Sequence, residues 1–350
     1  MTYQLHVGLC EEVLKSLPDN SVDAIVTDPP YGLSFMNHKW DYDVPTVEQW
    51  EQCLRVLKPG SHLLAFGGSR TYHRLVVNAE DAGFEIRDQI LWIYGSGFPK
   101  SHNLDGDFDG WGTALKPAHE PIMMARKPFK QTVLANMKEH GTGAINIEAS
   151  RVYGCGESQD GRWPANLIHD GSEEVVSAFP DARGQQGDLN ETGRSRPSQG
   201  RYGDMAPPKA HAARVESETS AARFFYCAKV SKSERDQGME RFISFSASDM
   251  TGGRKEGSAG LNDPRSGAGR TNGAKNNHST VKPIALMKYL CRLITPPGGK
   301  ILDPWTGSGS TGCAAVEEGF EFIGIDMDAD HITTASARIA YSFKKTMEAA

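Results

Sequence analysis

Short apolar runs alternate with helix-type patterns in two separated parts of the chain. The first part predicts strand, helix, strand, helix and strand at Val22–Thr27, Thr46–Leu57, His62–Phe66, Thr71–Ala82 and Phe84–Tyr94. The second predicts helix, strand, helix, strand and a final helix at Ile284–Ile294, Lys300–Asp303, Gly312–Glu318, Phe320–Ile325 and from about Asp330. Such alternation is typical of an α/β fold with a doubly wound, mostly parallel sheet.

The stretch between these parts has a different composition. Residues 181–222 and 244–277 are rich in Gly, Ser, Arg, Asn and Pro and poor in apolar residues, so they bury too little surface to form a core. Between them, Arg223–Lys229 predicts a short strand. We therefore expect a first core half, an irregular insert and a second core half, at 1–130, 131–274 and 275–350.

A four-residue motif, Asp28-Pro29-Pro30-Tyr31, follows the first predicted strand. The carboxylate of Asp28 and the carbonyl of Pro29 can accept the two N–H bonds of an exocyclic amino group. They would stabilise the positive charge that grows as its nitrogen attacks an electrophile. The two prolines restrict the backbone, and Tyr31 offers an aromatic face to an extruded base. The alternative is a proline-rich turn in which Asp28 bonds only local backbone.

A glycine-rich turn joins a predicted strand to a helix within residues 301–312, and the carboxylate of Asp326 ends the next strand. This order lets a nucleoside-bearing ligand approach the backbone, while Asp326 accepts hydrogen bonds from both ribose hydroxyls. The turn also satisfies the GxGxxG pattern of nicotinamide or flavin dehydrogenases through Gly307, Gly309 and Gly312. The four-residue motif argues against a nicotinamide or flavin dehydrogenase, because hydride transfer has no need of it.

The order of these motifs resembles that of the β group of amino-methyltransferases, the N6-adenine and N4-cytosine DNA methylases. In that family a catalytic DPPY precedes a target-recognition insert, and the cofactor loop comes last. Here Asp28–Tyr31, the insert and Asp303–Gly312 follow in the same order. The resemblance covers roughly residues 1–130 and 275–350. It implies a Rossmann-like methyltransferase core that binds S-adenosylmethionine and acts on a base flipped out of double-stranded DNA.

The resemblance also implies which residues serve the cofactor. His278–Pro283 is similar to a family segment whose Thr280 and Lys282 would hold the methionine carboxylate; a solvated surface lysine is the alternative for Lys282. The family commonly has Gly-Asp near the N-terminus, whereas this chain has Gly8-Leu9-Cys10, so backbone near Cys10 would contact the cofactor adenine. The implied cofactor-binding residues are Cys10, Thr280, Lys282, Asp303, Thr306, Gly307, Gly309 and Asp326.

The residue before the two prolines bears on which base is modified. Within the family, Asp or Asn at this position is similar to the pattern of the adenine enzymes, and Ser is similar to that of the cytosine-N4 enzymes. Asp28 therefore favours adenine N6, with cytosine N4 as the alternative. Methylation of cytosine C5 would need a nucleophilic thiolate, and none of the six cysteines follows a proline as in the family with that activity. A non-catalytic DNA-binding protein is a further alternative, disfavoured by the intact Asp28, Gly307, Gly309 and Asp326.

The charge distribution bears on the partner. The net charge of −6 argues mildly against a polyanion. Residues 223–282 nevertheless contain eleven basic and six acidic side chains, so part of the insert can face phosphates. Double-stranded DNA is the expected partner. A homodimer and a cognate restriction enzyme are left open.

Further patterns narrow the class of protein. The six cysteines form no CxxC pair, His119-Glu120 does not continue to HExxH, and we expect no metal. For the segment Lys116–Pro121, which resembles a family segment beside the insert, packing is favoured over a role in a base pocket. No apolar run approaches the roughly 20 residues of a membrane span, and Met1–Cys10 has no secretory pattern. We therefore expect a cytoplasmic protein.

Overall fold

The computed structural model describes most of the chain. The described residues are 2–33, 43–97, 101–153, 161–182, 185–186, 214–215, 219–229, 233–246, 274–276, 278 and 281–349. Thr280 and most of the predicted loops at 181–222 and 244–277 lie outside these ranges.

The strands are β1 Tyr3–Val7, β2 Val22–Thr27, β3 Leu57–Phe66, β4 Glu85–Ile93, β5 His119–Arg126, β6 Leu167–His169, β7 Gln185–Gln186, β8 Arg214–Val215, β9 Tyr226–Cys227, β10 Lys300–Asp303 and β11 Glu321–Asp326. Nine of these form one sheet in the order β1-β11-β10-β2-β3-β5-β4-β6-β9, and β7 pairs with β8. Within the larger sheet, β5 runs antiparallel to β3 and β4, and all other neighbours are parallel. The prediction of a mostly parallel sheet is confirmed.

The helices are α1 Cys10–Ser16, α2 Val47–Val56, α3 Tyr72–Asp81, α4 Val133–His140, α5 Glu173–Val176, α6 Ile284–Ile294, α7 Ser310–Glu317 and α8 Ala329–Ala349. Helix α2 begins with a reciprocal cap: the Thr46 hydroxyl accepts the Gln49 N–H at 3.3 Å, and the Gln49 side chain accepts the Thr46 N–H at 3.0 Å. None of the helices in the described ranges is long and apolar enough to span a membrane.

Helices cover the sheet on both faces. Ala24 and Val26 of β2 pack in one apolar cluster with α6, α7 and α8, whereas Ile25 packs in a second cluster with α1, α2 and α3. All six residues of β2 are buried, which explains why this strand is a nearly continuous apolar run rather than an alternating one. The fold is therefore doubly wound.

The chain changes direction across the sheet between β2 and β10. From β2 it proceeds to β3 on one side, and from β10 it proceeds to β11 on the other. These two strands are parallel neighbours, with Leu302 opposite Ile25. Open α/β sheets bind ligands outside the carboxyl ends of strands at such a switch point. Asp28 follows β2 and Asp303 ends β10, so both predicted motifs meet at this edge.

Strand β3 differs from the sequence prediction. It begins at Leu57, opposite Val22, whereas the sequence predicts a strand only from His62. Gly60 makes the early start possible, because its φ of 79° is left-handed and a Cβ there would come within 2.5 Å of Asn136 Nδ2.

The predicted insert also differs in detail. Within the predicted strand Arg223–Lys229 the paired strand is Tyr226–Cys227, because Ala221–Phe224 forms a 3₁₀ helix. Strands β6 and β9 both fall between residues 131 and 274, yet they extend the main sheet beyond β4. The segment therefore shares the sheet with the core, and its boundaries stay a prediction.

Candidate active site

A cavity of about 1470 Å³ opens at the carboxyl ends of β2, β10 and β11. It exceeds the roughly 300–1,000 Å³ of a site for one small molecule, so two ligands can lie in it together. The predicted site residues in its wall are Cys10, Asp28, Pro29, Pro30, Tyr31, Lys282, Asp303, Thr306, Gly307 and Asp326. Gly309 lies in the same turn as Gly307.

Two side chains hold the Asp28 carboxylate. The Tyr31 hydroxyl donates a hydrogen bond to Oδ1 at 2.8 Å, and the Lys282 ammonium donates to Oδ2 at 2.6 Å. Each carboxylate oxygen has two lone pairs, so Asp28 can accept further N–H donors from the cavity. The alternative in which Asp28 bonds only local backbone is wrong, since its partners are side chains.

Lys282 is buried between two carboxylates. Its ammonium lies 2.6 Å from Asp28 Oδ2 and 3.2 Å from Glu120 Oε2, and only 6% of its side chain is exposed. It also lies 4.8 Å from the centroid of the Phe66 ring, a cation–π distance. The alternative of a solvated surface lysine is therefore wrong. The contact between Lys282 and the methionine carboxylate stays a prediction.

Burial and charge shift the pKa values in this cluster. Burial raises the pKa of the Asp28 carboxyl, and Lys282 opposes part of that rise. Burial lowers the pKa of Lys282, but Asp28 and Glu120 outweigh it and hold the pKa above its ordinary value of 10.5. Burial, followed by the same carboxylates, raises the pKa of Tyr31 well above 10.0. Tyr31 is therefore a neutral donor and Lys282 a cation.

Asp303 organises the glycine-rich turn from the end of β10. Its Oδ1 accepts the Thr27 hydroxyl at 2.6 Å and the Trp305 N–H at 3.2 Å. Its carbonyl oxygen accepts the Thr306 hydroxyl at 3.0 Å. Burial raises the pKa of Asp303 to about 7, although hydrogen bonds from Thr27 and Thr311 lower it. Asp303 and Thr306 thus fix the path of the backbone along the cavity.

Asp326 faces this turn from the end of β11. Its Oδ2 accepts the Gly307 N–H at 2.8 Å, and its Oδ1 accepts the Asp328 N–H at 2.9 Å and lies 3.2 Å from His331 Nδ1. Burial raises the pKa of Asp326, but its hydrogen bonds and His331 outweigh burial and hold the pKa below 3.8. An ionised carboxylate in this position can accept hydrogen bonds from ribose hydroxyls.

Two glycines bring the backbone of the turn close to the cavity. Gly307 and Gly309 have φ angles of 50° and 80°, which are left-handed. A Cβ on Gly307 would lie 2.8 Å from His278 Nε2, and a Cβ on Gly309 would lie 2.9 Å from Ala335. The turn is thus closely packed at both glycines and presents backbone beside Asp326. These residues fit a ligand that carries a nucleoside.

Cys10 begins α1, three residues after Val7 of β1, which pairs with Asp326, and is 5% exposed. Burial raises the pKa of its thiol far above 9.0, so the side chain is a neutral thiol. The neighbouring Leu9 also lines the cavity. Both residues therefore line the cavity in which the sequence predicts that their backbone contacts the cofactor adenine, and that contact stays a prediction. Thr280 lies outside the described residues.

Glu120 is a site residue that the sequence interpretation assigned to packing. It stands on β5 and lines the cavity; its Oε2 lies 3.0 Å from the Tyr31 hydroxyl, which can donate to it in place of Asp28, and it pairs with Lys282. The one sequence signal was its position in Lys116–Pro121, the segment similar to the family. His278 and His331, with ring centroids 4.7 Å apart, were likewise missed beside the cofactor turn.

The doubly wound sheet, the glycine-rich turn and the carboxylate of Asp326 beside it fit the class of proteins that bind a nucleoside-bearing cofactor. The family model for DNA methylases, the N6 and N4 methyltransferases, matches residues 22–337. The chain therefore belongs to this family of S-adenosylmethionine-dependent enzymes. The match spans both motifs, which sets the dehydrogenase interpretation of the glycine-rich turn aside.

Curated relatives share shorter stretches. The chain is 28% identical over 189 residues to the type II methyltransferase M.HindIII of Haemophilus influenzae, covering 38% of this chain and 61% of that protein. It is 29% identical over 128 residues to the type II methyltransferase M.HpaI of Haemophilus parainfluenzae, covering 34% of this chain and 37% of that protein. The matches thus span less than two thirds of either relative.

A solved structure shares the fold over almost the full chain. The cytosine-N4-specific PvuII DNA methyltransferase superposes with a TM-score of 0.50 at 13% sequence identity, covering 99% of this chain and 93% of that one. At this identity the likeness supports the Rossmann-like fold alone.

Proposed function

We propose that the protein transfers a methyl group from S-adenosylmethionine to N6 of an adenine flipped out of double-stranded DNA. The observation that carries the proposal is that Asp28, in its DPPY motif, shares one cavity with the glycine-rich turn and Asp326. A group that activates an amino nitrogen and a site for a nucleoside-bearing donor thus open into the same space. Membership in the DNA methylase family supports both the reaction and the polymer.

Asp28 and Pro29 act on the amino group of the base. The lone pair of an adenine amino nitrogen is delocalised into the ring, so the nitrogen is a poor nucleophile. Acceptance of its two N–H bonds by the Asp28 carboxylate and the Pro29 carbonyl favours tetrahedral geometry at nitrogen and stabilises the charge that develops there. The remaining lone pairs of Asp28 make this possible while Tyr31 and Lys282 stay bound.

The residues at the cofactor turn bind and orient the methyl donor. Asp326 would accept the ribose hydroxyls, and the backbone at Gly307 and near Cys10 would contact the nucleoside. When bound there, S-adenosylmethionine would supply a methyl group on positively charged sulfur. The amino nitrogen would bond to the methyl carbon as the carbon–sulfur bond breaks, the electron pair would stay on the sulfur of S-adenosylhomocysteine, and the nitrogen would release its proton to water. Positioning of the two reactants accounts for much of the acceleration.

Tyr31 supports the flipped base. Flipping costs a few kcal/mol, which stacking on an aromatic ring and hydrogen bonds in the pocket offset. The Tyr31 hydroxyl is tied to Asp28 and Glu120, so the position of its ring is fixed relative to the catalytic carboxylate. A fixed ring reduces the entropy that is lost when the base binds.

The choice of adenine over cytosine depends on Asp28. The resemblance of Asp before Pro-Pro to the adenine enzymes favours N6. Cytosine N4 is the second candidate, because the same acceptors would serve its amino group and the PvuII enzyme of similar fold is cytosine-N4-specific. Digestion of methylated DNA and mass spectrometry of the nucleosides would distinguish N6-methyl-2′-deoxyadenosine from N4-methyl-2′-deoxycytidine.

The Asp28→Ala variant tests the proposal directly. We expect methyl transfer to unmethylated genomic DNA to be abolished, while S-adenosylmethionine still binds in isothermal titration, since Asp326 and the turn are unchanged. Near-normal transfer by the variant would refute the role of Asp28. A wild-type protein that binds no S-adenosylmethionine would refute the proposed function as a whole.

Several features of the cellular setting belong to the same proposal. The basic stretch in residues 223–282 supports contact with DNA phosphates. The names of M.HindIII and M.HpaI, both type II methyltransferases, favour a cognate restriction enzyme as partner. Action on genomic DNA supports a cytoplasmic location.

A further inference from the structure

Glu120 joins the polar groups on the catalytic side of the cavity. Its Oε2 lies 3.0 Å from the Tyr31 hydroxyl and 3.2 Å from Lys282 Nζ. Glu120 stands on β5 opposite Trp92 of β4, inside the main sheet. Its carboxylate is therefore held by a rigid element and not by a loop.

The donors in this cluster are shared between two carboxylates. Lys282 has one positive charge and three N–H donors, and it pairs with both Asp28 and Glu120. Tyr31 has a single hydroxyl proton within reach of both carboxylates, so it serves one of them at a time. Glu120 therefore competes with Asp28 for both donors.

This competition determines how strongly Asp28 can accept an N–H from the substrate. If the ammonium were bound to Asp28 alone, it would withdraw negative charge from that carboxylate and weaken it as an acceptor. A second carboxylate on the same ammonium reduces that effect. The charge of Glu120 accordingly raises the pKa of Asp28, beyond the larger rise that burial causes. Two carboxylates and one ammonium also leave a negative environment for a nitrogen that becomes positive.

We propose that Glu120 is a positioning residue for methyl transfer, which draws Lys282 and Tyr31 towards itself and so keeps the Asp28 carboxylate a strong acceptor for the target amino group. The inference rests on the proposed function and deepens it. It differs from a packing role because it depends on the charge of Glu120 and not on its volume.

The pH dependence of transfer provides a readout that packing alone would not change. The titratable groups that face Asp28 are Tyr31 on its own loop, Glu120 on β5, Lys282 before α6 and Asp303 on β10. Transfer requires ionised Asp28, so the rate falls on the acid side as this carboxylate is protonated. Removal of the Glu120 charge should lower the pKa of Asp28. The acid limb of the pH–rate profile, where the rate falls as Asp28 is protonated, should then move to lower pH.

The test compares Glu120→Gln with wild type in single-turnover transfer from radiolabelled S-adenosylmethionine to unmethylated genomic DNA, across a pH range. The amide keeps the size of the side chain and loses its charge. We expect the plateau rate to fall roughly 10- to 100-fold, as for other small errors in positioning. The acid limb should shift to lower pH, because the weaker acceptor is also harder to protonate.

Two further variants complete the design. Glu120→Asp keeps the charge, so its acid limb should stay near that of wild type, with a smaller loss of rate. Glu85→Gln is the matched control, since Glu85 pairs with Arg126 at the other end of β5 and does not line the cavity. It should transfer at the wild-type rate, and it measures the loss of thermal stability caused by an acid-to-amide change in this sheet.

The outcomes separate the inference from the proposed function. A Glu120→Gln rate within about twofold of wild type, or a slow variant whose acid limb does not move, would overturn the role of Glu120. If Glu120→Gln does not fold, Glu120→Asp provides the test. This variant keeps the charge, so a shift of its acid limb to lower pH as large as that expected for charge loss would contradict the proposal. Wild-type protein that transfers no methyl group would instead refute the proposed function.

Discussion

His331 and Asp326 form an ion pair at the cofactor turn whose contribution to stability depends on pH. Burial alone would lower the pKa of His331, but the hydrogen bond and charge of Asp326 raise it above 6.5. The stabilisation is therefore full below 6.5 and is lost as pH rises through the higher pKa of the folded state. The depressed pKa of Asp326 means that its own contribution persists until more acidic pH.

We therefore expect His331→Gln to destabilise the protein more at about pH 5.5 than at about pH 9. Urea unfolding of both proteins at the two pH values checks this difference. An equal loss at both would show that the histidine acts through packing. A larger loss at the alkaline pH would contradict the sign of the linkage.

Gly312 offers a residue-scale test in which two effects have opposite signs. A glycine-to-alanine change inside a helix gains up to about 1 kcal/mol from propensity. Here, however, a Cβ would lie 2.7 Å from Phe322 Cε1 and still closer to Ile339. Overpacking of this kind costs about 1–3 kcal/mol, so we expect Gly312→Ala to lower the free energy of unfolding. A variant as stable as wild type in urea would show that α8, which carries Ile339, can move away from Gly312 on α7.

The sequence locates some site residues better than others. Asp28 and Asp326 stand next to strands with clear apolar patterns, so local sequence is sufficient to place them at the carboxyl edge of the sheet. Glu120 stands 89 residues after Tyr31, in a strand with a proline at the next position. Its role follows from contacts with Tyr31 and Lys282 that no local pattern records.

Among the elements, helix α2 depends on its first turn. The hydroxyl of Thr46 and the side chain of Gln49 satisfy each other's backbone N–H groups. We expect Thr46→Ala to cost about 1 kcal/mol, because both bonds of the reciprocal cap are lost or weakened. Thr132→Ala at the start of α4 is the comparison, since its hydroxyl accepts only the Ala135 N–H. Urea unfolding that gave Thr132→Ala the larger loss would contradict the importance of reciprocity.

Helices and strands long enough to show a repeating pattern were predictable from the sequence, and shorter ones were not. The helices Val47–Val56 and Ile284–Ile294 and the strand Val22–Thr27 match their predictions closely, because packing preserves the pattern. Strands β6 and β9 have three and two residues, too few to show any period. They form because the edge of β4 offers backbone partners to β6, and β6 in turn offers them to β9, which is a property of the assembled sheet.

For the whole molecule, the cofactor should act as a stabilising ligand. A ligand that binds only the folded state, at 100 times its dissociation constant, adds about 2.7 kcal/mol to the free energy of unfolding. We expect S-adenosylmethionine and S-adenosylhomocysteine to raise the melting temperature in differential scanning fluorimetry. Nicotinamide adenine dinucleotide at the same concentration should have no effect. A shift with the nicotinamide cofactor alone would contradict the assignment of the site.

At this scale the sequence predicted the class of fold, the motif order and the edge where the ligands meet. It did not predict that β5 runs antiparallel between β3 and β4, because strand direction depends on which neighbours compete for an edge. Nor did it predict that two strands from the insert would lengthen the sheet.

The position of β2 inside the sheet, between β10 and β3, has a consequence for protein synthesis. On one side β2 pairs with β3, which follows it in the chain, but its other neighbour is β10, at Lys300–Asp303. A ribosome therefore exposes this apolar strand with one open edge until most of the chain has been translated. Open apolar edges can pair with other chains, so newly made protein should depend on chaperones for as long as translation continues.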